Sequence, residues 1–176
     1  GNPENDGHGF LMLSRYRAWS KQGRKKEWVL QRWEAIEEAA GYIPWCLDNP
    51  DLSFSGNGLL YNESEGGMQQ QSMYCDYLCY LGLLAYSEMA DTAGKPEASM
   101  RWRSVADRLY RAMEAYYPAV IEPWGEVWDP EKNAMFLYIN STLAPACIGM
   151  DYYGYNVMKE LPEEWITWTR NTYRMQ

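Results

Sequence analysis

Six acidic residues stand where a carboxyl group could do acid–base chemistry. They are Asp6, Glu63, Glu65, Asp76, Asp129 and Asp151. Such chemistry commonly needs two carboxyl groups, one that gives a proton and one that attacks or activates water. Glu63 and Glu65 are two residues apart, so their side chains point to opposite sides of an extended loop and should not pair with each other. We prefer Glu65, because Gly66 and Gly67 let a substrate approach closely.

Each of these acids also has an ordinary structural interpretation. A carboxylate in a polar loop is more often a solvated surface group than a catalyst. Asp6 fits the cap of a helix that is predicted to begin near Phe10. Asp76 is harder to explain in this way, because it precedes Tyr77 and Tyr80 on an otherwise apolar helix. A carboxylate buried on such a helix needs a partner, and a bound sugar hydroxyl would supply one.

The aromatic composition is typical of surfaces that are partly exposed to solvent. Nine Trp and fifteen Tyr stand against three Phe, so nearly every ring carries an N–H or O–H group that needs a hydrogen-bond partner. Ordinary packing explains most such rings, and the alternative is a cleft whose rings stack on the apolar faces of sugars. The predicted stacking residues are Tyr61, Trp124 and Trp128. For Trp124, packing in the core is an almost equally good interpretation. His8 could hydrogen-bond substrate.

Composition disfavours metal, nucleic-acid and membrane functions. The four cysteines, Cys46, Cys75, Cys79 and Cys147, form no CxxC pair, and the single histidine cannot complete a usual zinc spacing, so neither a metal nor another cofactor is predicted. Cys75 and Cys79, four residues apart on a helix, are interpreted as small buried side chains. A net charge of −8 repels phosphate, and no stretch approaches the ~20 apolar residues of a membrane helix. We expect a soluble chain; without signal-peptide features at its start, the compartment stays open.

The elements that must position these residues have helical spacing. One apolar stripe consists of Val29, Trp33, Ile36, Ala40, Ile43 and Leu47. Steps of four and three residues place such a stripe on one face of a helix. Pro44 is expected to kink or end this helix near Ile43. The same stepping returns from Trp102 to Tyr116, which indicates a repeat.

Each stripe is preceded by another helix and a tight turn. The predicted helices Phe10–Trp19 and Met73–Met89 are followed by a glycine and a basic residue, at Gly23 and at Gly94, and glycine there supplies the left-handed conformation that ends a helix. The fold class is therefore predicted as all-α, a single domain over 1–176. Its antiparallel hairpins are placed at about 10–47, 69–117 and 143–175. Long loops at 49–68 and 118–142 join them, with at most a short β-ribbon around Glu126 to Phe136.

The order of inner helix, tight turn, outer helix and long loop resembles the six-hairpin glycosidases. Residues 6–11 (Asp-Gly-His-Gly-Phe-Leu), 58–67 (Gly-Leu-Leu-Tyr-Asn-Glu-Ser-Glu-Gly-Gly) and 94–96 (Gly-Lys-Pro) carry the resemblance. It implies part of an (α/α)6 toroid, an oligosaccharide or glycoside substrate, and hydrolysis of a glycosidic bond. The general acid would lie in the acidic loop, where Glu63 and Glu65 match, and Asp6 is the remaining catalytic candidate. The predicted substrate contacts are Tyr61, Asp76, Trp124, Trp128 and His8.

Three hairpins differ from the six that close the family's ring. Open helix faces would expose apolar surface, so we expect self-association, and an open cleft predicts weak or absent hydrolysis by this chain alone. The loop at 53–68 and the segment Trp124–Asp129 should line one cleft. Two other classes remain: a non-catalytic carbohydrate- or peptide-binding helical repeat, and an α-solenoid whose concave face binds protein.

Overall fold

The computed structural model describes residues 5–63, 69–71 and 73–121. In chain order the elements are α1 (Asn5–Lys21), α2 (Lys26–Leu30), α3 (Trp33–Asp48), α4 (Pro50–Ser53), β1 (Tyr61–Glu63), β2 (Gln69–Gln71), α5 (Met73–Ala93) and α6 (Pro96–Ile121). The described residues are mostly helical, which confirms the all-α prediction. One short antiparallel ribbon pairs β1, inside the connection predicted as a loop, with β2, which lies directly after that connection. The ribbon predicted around Glu126 to Phe136 lies outside the described residues.

Two compact units divide the chain, Gly1–Met113 and Glu114–Gln176. The first contains two helical hairpins, α1 with α2 and α3, and α5 with the larger part of α6. Of the second unit, the structure describes only the final residues of α6. The third predicted hairpin, at about 143–175, lies outside the described residues, so the single-domain arrangement of three hairpins stays a prediction.

The turns of the two hairpins have the same geometry. Gly23 and Gly94 adopt φ of 75° and 76°, and in each turn the next residue's amide reaches back to the preceding helix. Arg24 N–H donates to the Trp19 carbonyl at 3.1 Å, and Lys95 N–H donates to the Ala90 carbonyl at 2.9 Å. This six-residue closure requires a left-handed residue, which glycine adopts without strain. The predicted glycine-capped turns are confirmed.

The outer helix of the first hairpin differs from its prediction. The stripe from Val29 to Leu47 was expected on one helix, but α2 ends at Leu30 and α3 begins at Trp33. Pro44 was expected to kink or end the helix near Ile43; it does not end the helix, because α3 continues to Asp48. Ile43 and Leu47 are buried on either side of the proline, and their packing offsets the missing amide donor.

The two hairpins of the first unit pack side by side with their inner helices parallel. A Cβ on Gly9 of α1 would lie 2.7 Å from the Leu78 backbone in α5, so the two helices touch closely there. Further along the same pair, the Tyr16 hydroxyl donates to Glu88 Oε2 at 2.6 Å. The outer helices α3 and α6 meet through the stacked rings of Trp33 and Trp102, 5.5 Å apart. Like elements therefore pack against like elements, as in consecutive helical repeats.

Candidate functional site

The connection from α3 to β1 is attached to the N-terminal ends of both inner helices. The backbone N–H of Leu60 donates to Asp76 Oδ1, in the first turn of α5, at 2.8 Å. The side-chain amide of Asn5, the first residue of α1, donates to the Tyr61 carbonyl oxygen. Two helix starts thus hold the backbone that enters β1, and Glu63 ends that strand.

Asp76 is fully buried, and so is Leu60. A buried carboxylate is stable only where hydrogen bonds replace its hydration, and an amide donor close to a charged oxygen is among the stronger replacements. The partner that the sequence required for Asp76 is therefore found in the protein, at the Leu60 amide. This contact gives Asp76 a positioning role for the connection.

Asn5 is a buried polar residue that sequence reasoning missed. Its backbone carbonyl accepts a bond from the Cys79 thiol at 3.1 Å, while its side-chain amide holds Tyr61. Among the described residues, its Oδ1 is one of the buried side-chain atoms with no hydrogen-bond partner. An asparagine at a helix start gives no signal of this role, because the same residue type is a common helix cap.

Three cysteines lie buried as free thiols near these helix starts. Burial raises the pKa of Cys75 well above its usual value, and burial also raises the pKa of Cys46. A thiol whose anion is disfavoured is a poor nucleophile and a poor metal ligand. Within the described residues, no group of three His, Cys, Asp or Glu could hold a metal ion. Cys75 and Cys79 are small buried side chains, as interpreted from the sequence.

The structure brings several predicted site residues to one end of the inner helices. Asp6 lies partly exposed in the first turn of α1, and the expectation that it caps a helix near Phe10 is wrong, since α1 already begins at Asn5. Tyr61 is buried, with its ring 5.6 Å from that of Phe54, which is 64% exposed. Glu65, Trp124 and Trp128 lie outside the described residues, so the shared cleft stays a prediction.

His8 lies on α1 beside the Tyr42 ring of α3. Its Nε2–H donates to the Ala39 carbonyl at 2.8 Å, and its ring centroid is 4.7 Å from that of Tyr42. The Tyr42 ring lies 6.2 Å from the Trp45 ring, with 21° between their planes. Sequence reasoning did not single out Tyr42 and Trp45 as site residues. The signal that could have found them is their spacing of three residues on a helix, at positions outside the apolar stripe.

Burial lowers the pKa of His8 below its usual value of 6.5. The hydrogen bond to the Ala39 carbonyl acts in the opposite direction and raises the pKa, but burial has the larger effect. The ring is therefore neutral at pH 7. Because Nε2 carries the proton given to Ala39, Nδ1 keeps a lone pair and can accept a hydrogen bond. His8 thus offers an acceptor beside the Tyr42 ring, which in turn adjoins Trp45, and this combination suits a hydroxylated ligand.

A cavity of about 430 Å³ lies near the other end of the hairpins, beside the turn at Gly94. Its wall includes Trp33, and the Lys95 ammonium lies 5.5 Å from the centroid of that ring. Glu37 and Arg101, which also line it, form an ion pair at 3.2 Å. Among the residues that the structure describes, none of those predicted for chemistry lines this cavity.

Comparisons with protein-family models, curated proteins and solved structures find no match to this chain. In the part of the chain that the structure describes, no helix has the length and apolar character needed to cross a bilayer.

Proposed function

We propose that this chain is a carbohydrate-active protein of the helical-hairpin type, with its sugar-facing side at the end where α1 and α5 begin. One observation carries the proposal: Asp76 and Asn5 fix the strand that ends at Glu63 across the starts of two parallel inner helices. A fixed acidic connection at that end is where the resemblance to six-hairpin glycosidases expects a general acid.

In the proposed reaction, protonated Glu63 or Glu65 gives its proton to the leaving oxygen of a glycosidic bond. A second carboxylate either takes a proton from a water molecule that attacks the anomeric carbon, or attacks this carbon itself to form a glycosyl ester that water then hydrolyses. Asp6 is the candidate for this second group, because it lies partly exposed in the first turn of α1, at the same end. Asp76 supports the reaction by position, since its Oδ1 is engaged by the Leu60 amide.

The test separates these acids by single substitution. Glu63→Gln, Glu65→Gln and Asp6→Asn are assayed against a panel of nitrophenyl glycosides and oligosaccharides, beside Glu27→Gln as control. Glu27 is an exposed glutamate on α2, which follows the Gly23 turn at the opposite end of the hairpin. On any glycoside that the wild-type chain hydrolyses, even slowly, loss of the general acid should lower kcat/KM by about 10²–10⁴-fold, and the Glu27→Gln control should leave kcat/KM unchanged. A wild-type chain that neither hydrolyses nor binds any sugar would overturn the proposal.

A non-catalytic carbohydrate-binding repeat is the second candidate, with a protein-binding helical repeat as its variant. The observation that favours it is the half-exposed pair of rings at Tyr42 and Trp45, which could hold a ligand without paired acids. A sugar array distinguishes the two classes when read with the hydrolysis assay: binding without turnover, unaffected by the three acid variants, identifies the non-catalytic protein.

A further inference from the structure

Three rings form a continuous row on the surface of the first hairpin, which we call the His8 surface: His8, Tyr42 and Trp45. Neighbouring ring centroids in the row are 4.7 Å and 6.2 Å apart. Trp45 is 46% exposed, although a ring of this size is usually well covered in a folded chain. The row ends close to Asn49, where α3 passes into the connection toward β1.

The fold itself does not explain why these rings are placed there. The buried residues of α3 include Ile36, Ala40, Ile43 and Leu47, and they form the stripe that packs inside the hairpins. Tyr42 and Trp45 lie outside that stripe. The Tyr42 ring is half-buried and contacts His8 on one side and Trp45 on the other. An exposed ring held in place by its neighbours is a rigid platform.

We propose that the His8 surface is a saccharide-binding subsite, in which an oligosaccharide stacks a pyranose ring on Trp45 and donates a hydroxyl hydrogen bond to His8 Nδ1. This inference rests on the proposed function and names a subsite for it. The C–H face of a pyranose is apolar and its rim is hydroxylated, so it matches a ring with polar atoms at its edge. Trp45 supplies an indole N–H donor and His8 an imidazole acceptor.

The matched variants use the full 176-residue chain. Trp45→Ala removes the platform, Trp45→Phe keeps an aromatic ring, and Trp28→Ala removes a ring from α2, where Arg32 lies over it at 4.2 Å. Binding is measured by titration calorimetry with pentasaccharides of β-1,4-glucose, β-1,4-xylose, β-1,4-mannose and α-1,4-glucose. We expect Trp45→Ala to weaken binding of the recognised probe by about tenfold or more. Trp45→Phe keeps a stacking ring but loses the indole N–H, so it should weaken binding less than Trp45→Ala does. Trp28→Ala should stay within about threefold of wild type.

A second readout follows His8 directly. The chain has a single histidine, so its imidazole C–H resonances are unambiguous. Adding the recognised pentasaccharide should shift them in wild type and in Trp28→Ala. In Trp45→Ala, the shift of the His8 resonances should be lost at the sugar concentration that saturates wild type, because the sugar no longer stacks on residue 45.

The possible failures are distinguishable. If wild type binds none of the four probes, both the subsite and the proposed function are overturned. If wild type binds a probe and Trp45→Ala binds it equally well, the subsite is wrong and the sugar binds elsewhere on the chain. If Trp45→Ala instead lowers the mass measured by light scattering and leaves sugar affinity unchanged, the His8 surface is a contact between copies of the chain, which also refutes the subsite.

Discussion

Removing the Asp76 carboxylate tests the attachment of the β1 connection to the inner helices. Asp76→Ala would leave the Leu60 N–H buried without its acceptor, 2.8 Å from where Oδ1 now lies. A hydrogen bond to a charged group contributes about 1.5–3 kcal/mol, and a buried donor that is left without an acceptor costs about 1–3 kcal/mol. Since these two figures describe overlapping effects, we expect a loss of about 2–4 kcal/mol in the free energy of unfolding.

Two control variants separate this contact from general damage to α5. Asp76→Asn keeps an oxygen that can accept from Leu60 and should cost less than Asp76→Ala. Ser87→Ala removes another buried polar group of the same helix, whose hydroxyl donates to the Leu83 carbonyl at 2.8 Å. That bond lies within the helix and is neutral, so its loss should cost about 1 kcal/mol or less.

Urea unfolding of the full chain, followed by circular dichroism, measures the difference. At an m-value of about 2 kcal/mol/M, the expected loss moves the midpoint by roughly 1–2 M. Limited proteolysis in native buffer adds a local readout, because a released connection between Asn49 and Glu63 should be cut faster in Asp76→Ala than in Ser87→Ala. Equal midpoints for Asp76→Ala and wild type would refute the reasoning.

Three further predictions concern the same helix starts. Gly9→Ala should destabilise the chain by about 1–3 kcal/mol in urea unfolding, because the new Cβ would lie 2.7 Å from Leu78. The control Gly7→Ala should be neutral or stabilising, because a Cβ there meets nothing within 4 Å. Equal urea midpoints for the two variants would contradict this prediction. Because burial lowers the pKa of His8, the contribution of its neutral ring to stability is fully present above pH 6.5 and is lost as the pH falls to the lower pKa of the folded state. The urea midpoint of wild type should therefore drop more than that of His8→Gln between about pH 7.5 and 5.5. Burial of Cys46, Cys75 and Cys79 predicts that no more than one cysteine per native chain reacts rapidly with Ellman's reagent, and two fast thiols would disprove it.

The hairpins could be predicted because local rules determine them. Gly23 and Gly94 are needed where the chain must turn left-handed after a helix, and the apolar stripe after Val29 repeats with helical spacing. The break between α2 and α3 could not be seen, since Val29 and Trp33 remain in step across it. Pro44 misled the prediction because its rule is local, while the burial of Ile43 and Leu47 that overrides it is tertiary.

Only part of the site could be predicted in this way. The sequence identified Asp76 as a buried carboxylate in need of a partner, but the partner is a backbone amide of Leu60, which no pattern of residue types displays. Tyr42 and Trp45 were missed because the row that they form is completed by His8, which contacts Tyr42 from another helix more than 30 residues earlier in the chain. Spacing within one helix cannot report which element packs beside it.

The burial of Asp76 also restricts the choice of catalytic acids. A group that gives a proton to substrate must reach it, whereas Asp76 is fully buried and bonded to the Leu60 amide. The same contact that removes Asp76 from direct chemistry fixes the backbone just before β1, and Glu63 follows on that strand. In the proposed function, one carboxylate of the inner helix therefore positions the connection, and proton transfer falls to an acid that the connection carries. Hydrolysis that is abolished by Glu63→Gln or Glu65→Gln, and only weakened by Asp76→Asn, is the pattern that this division of roles requires.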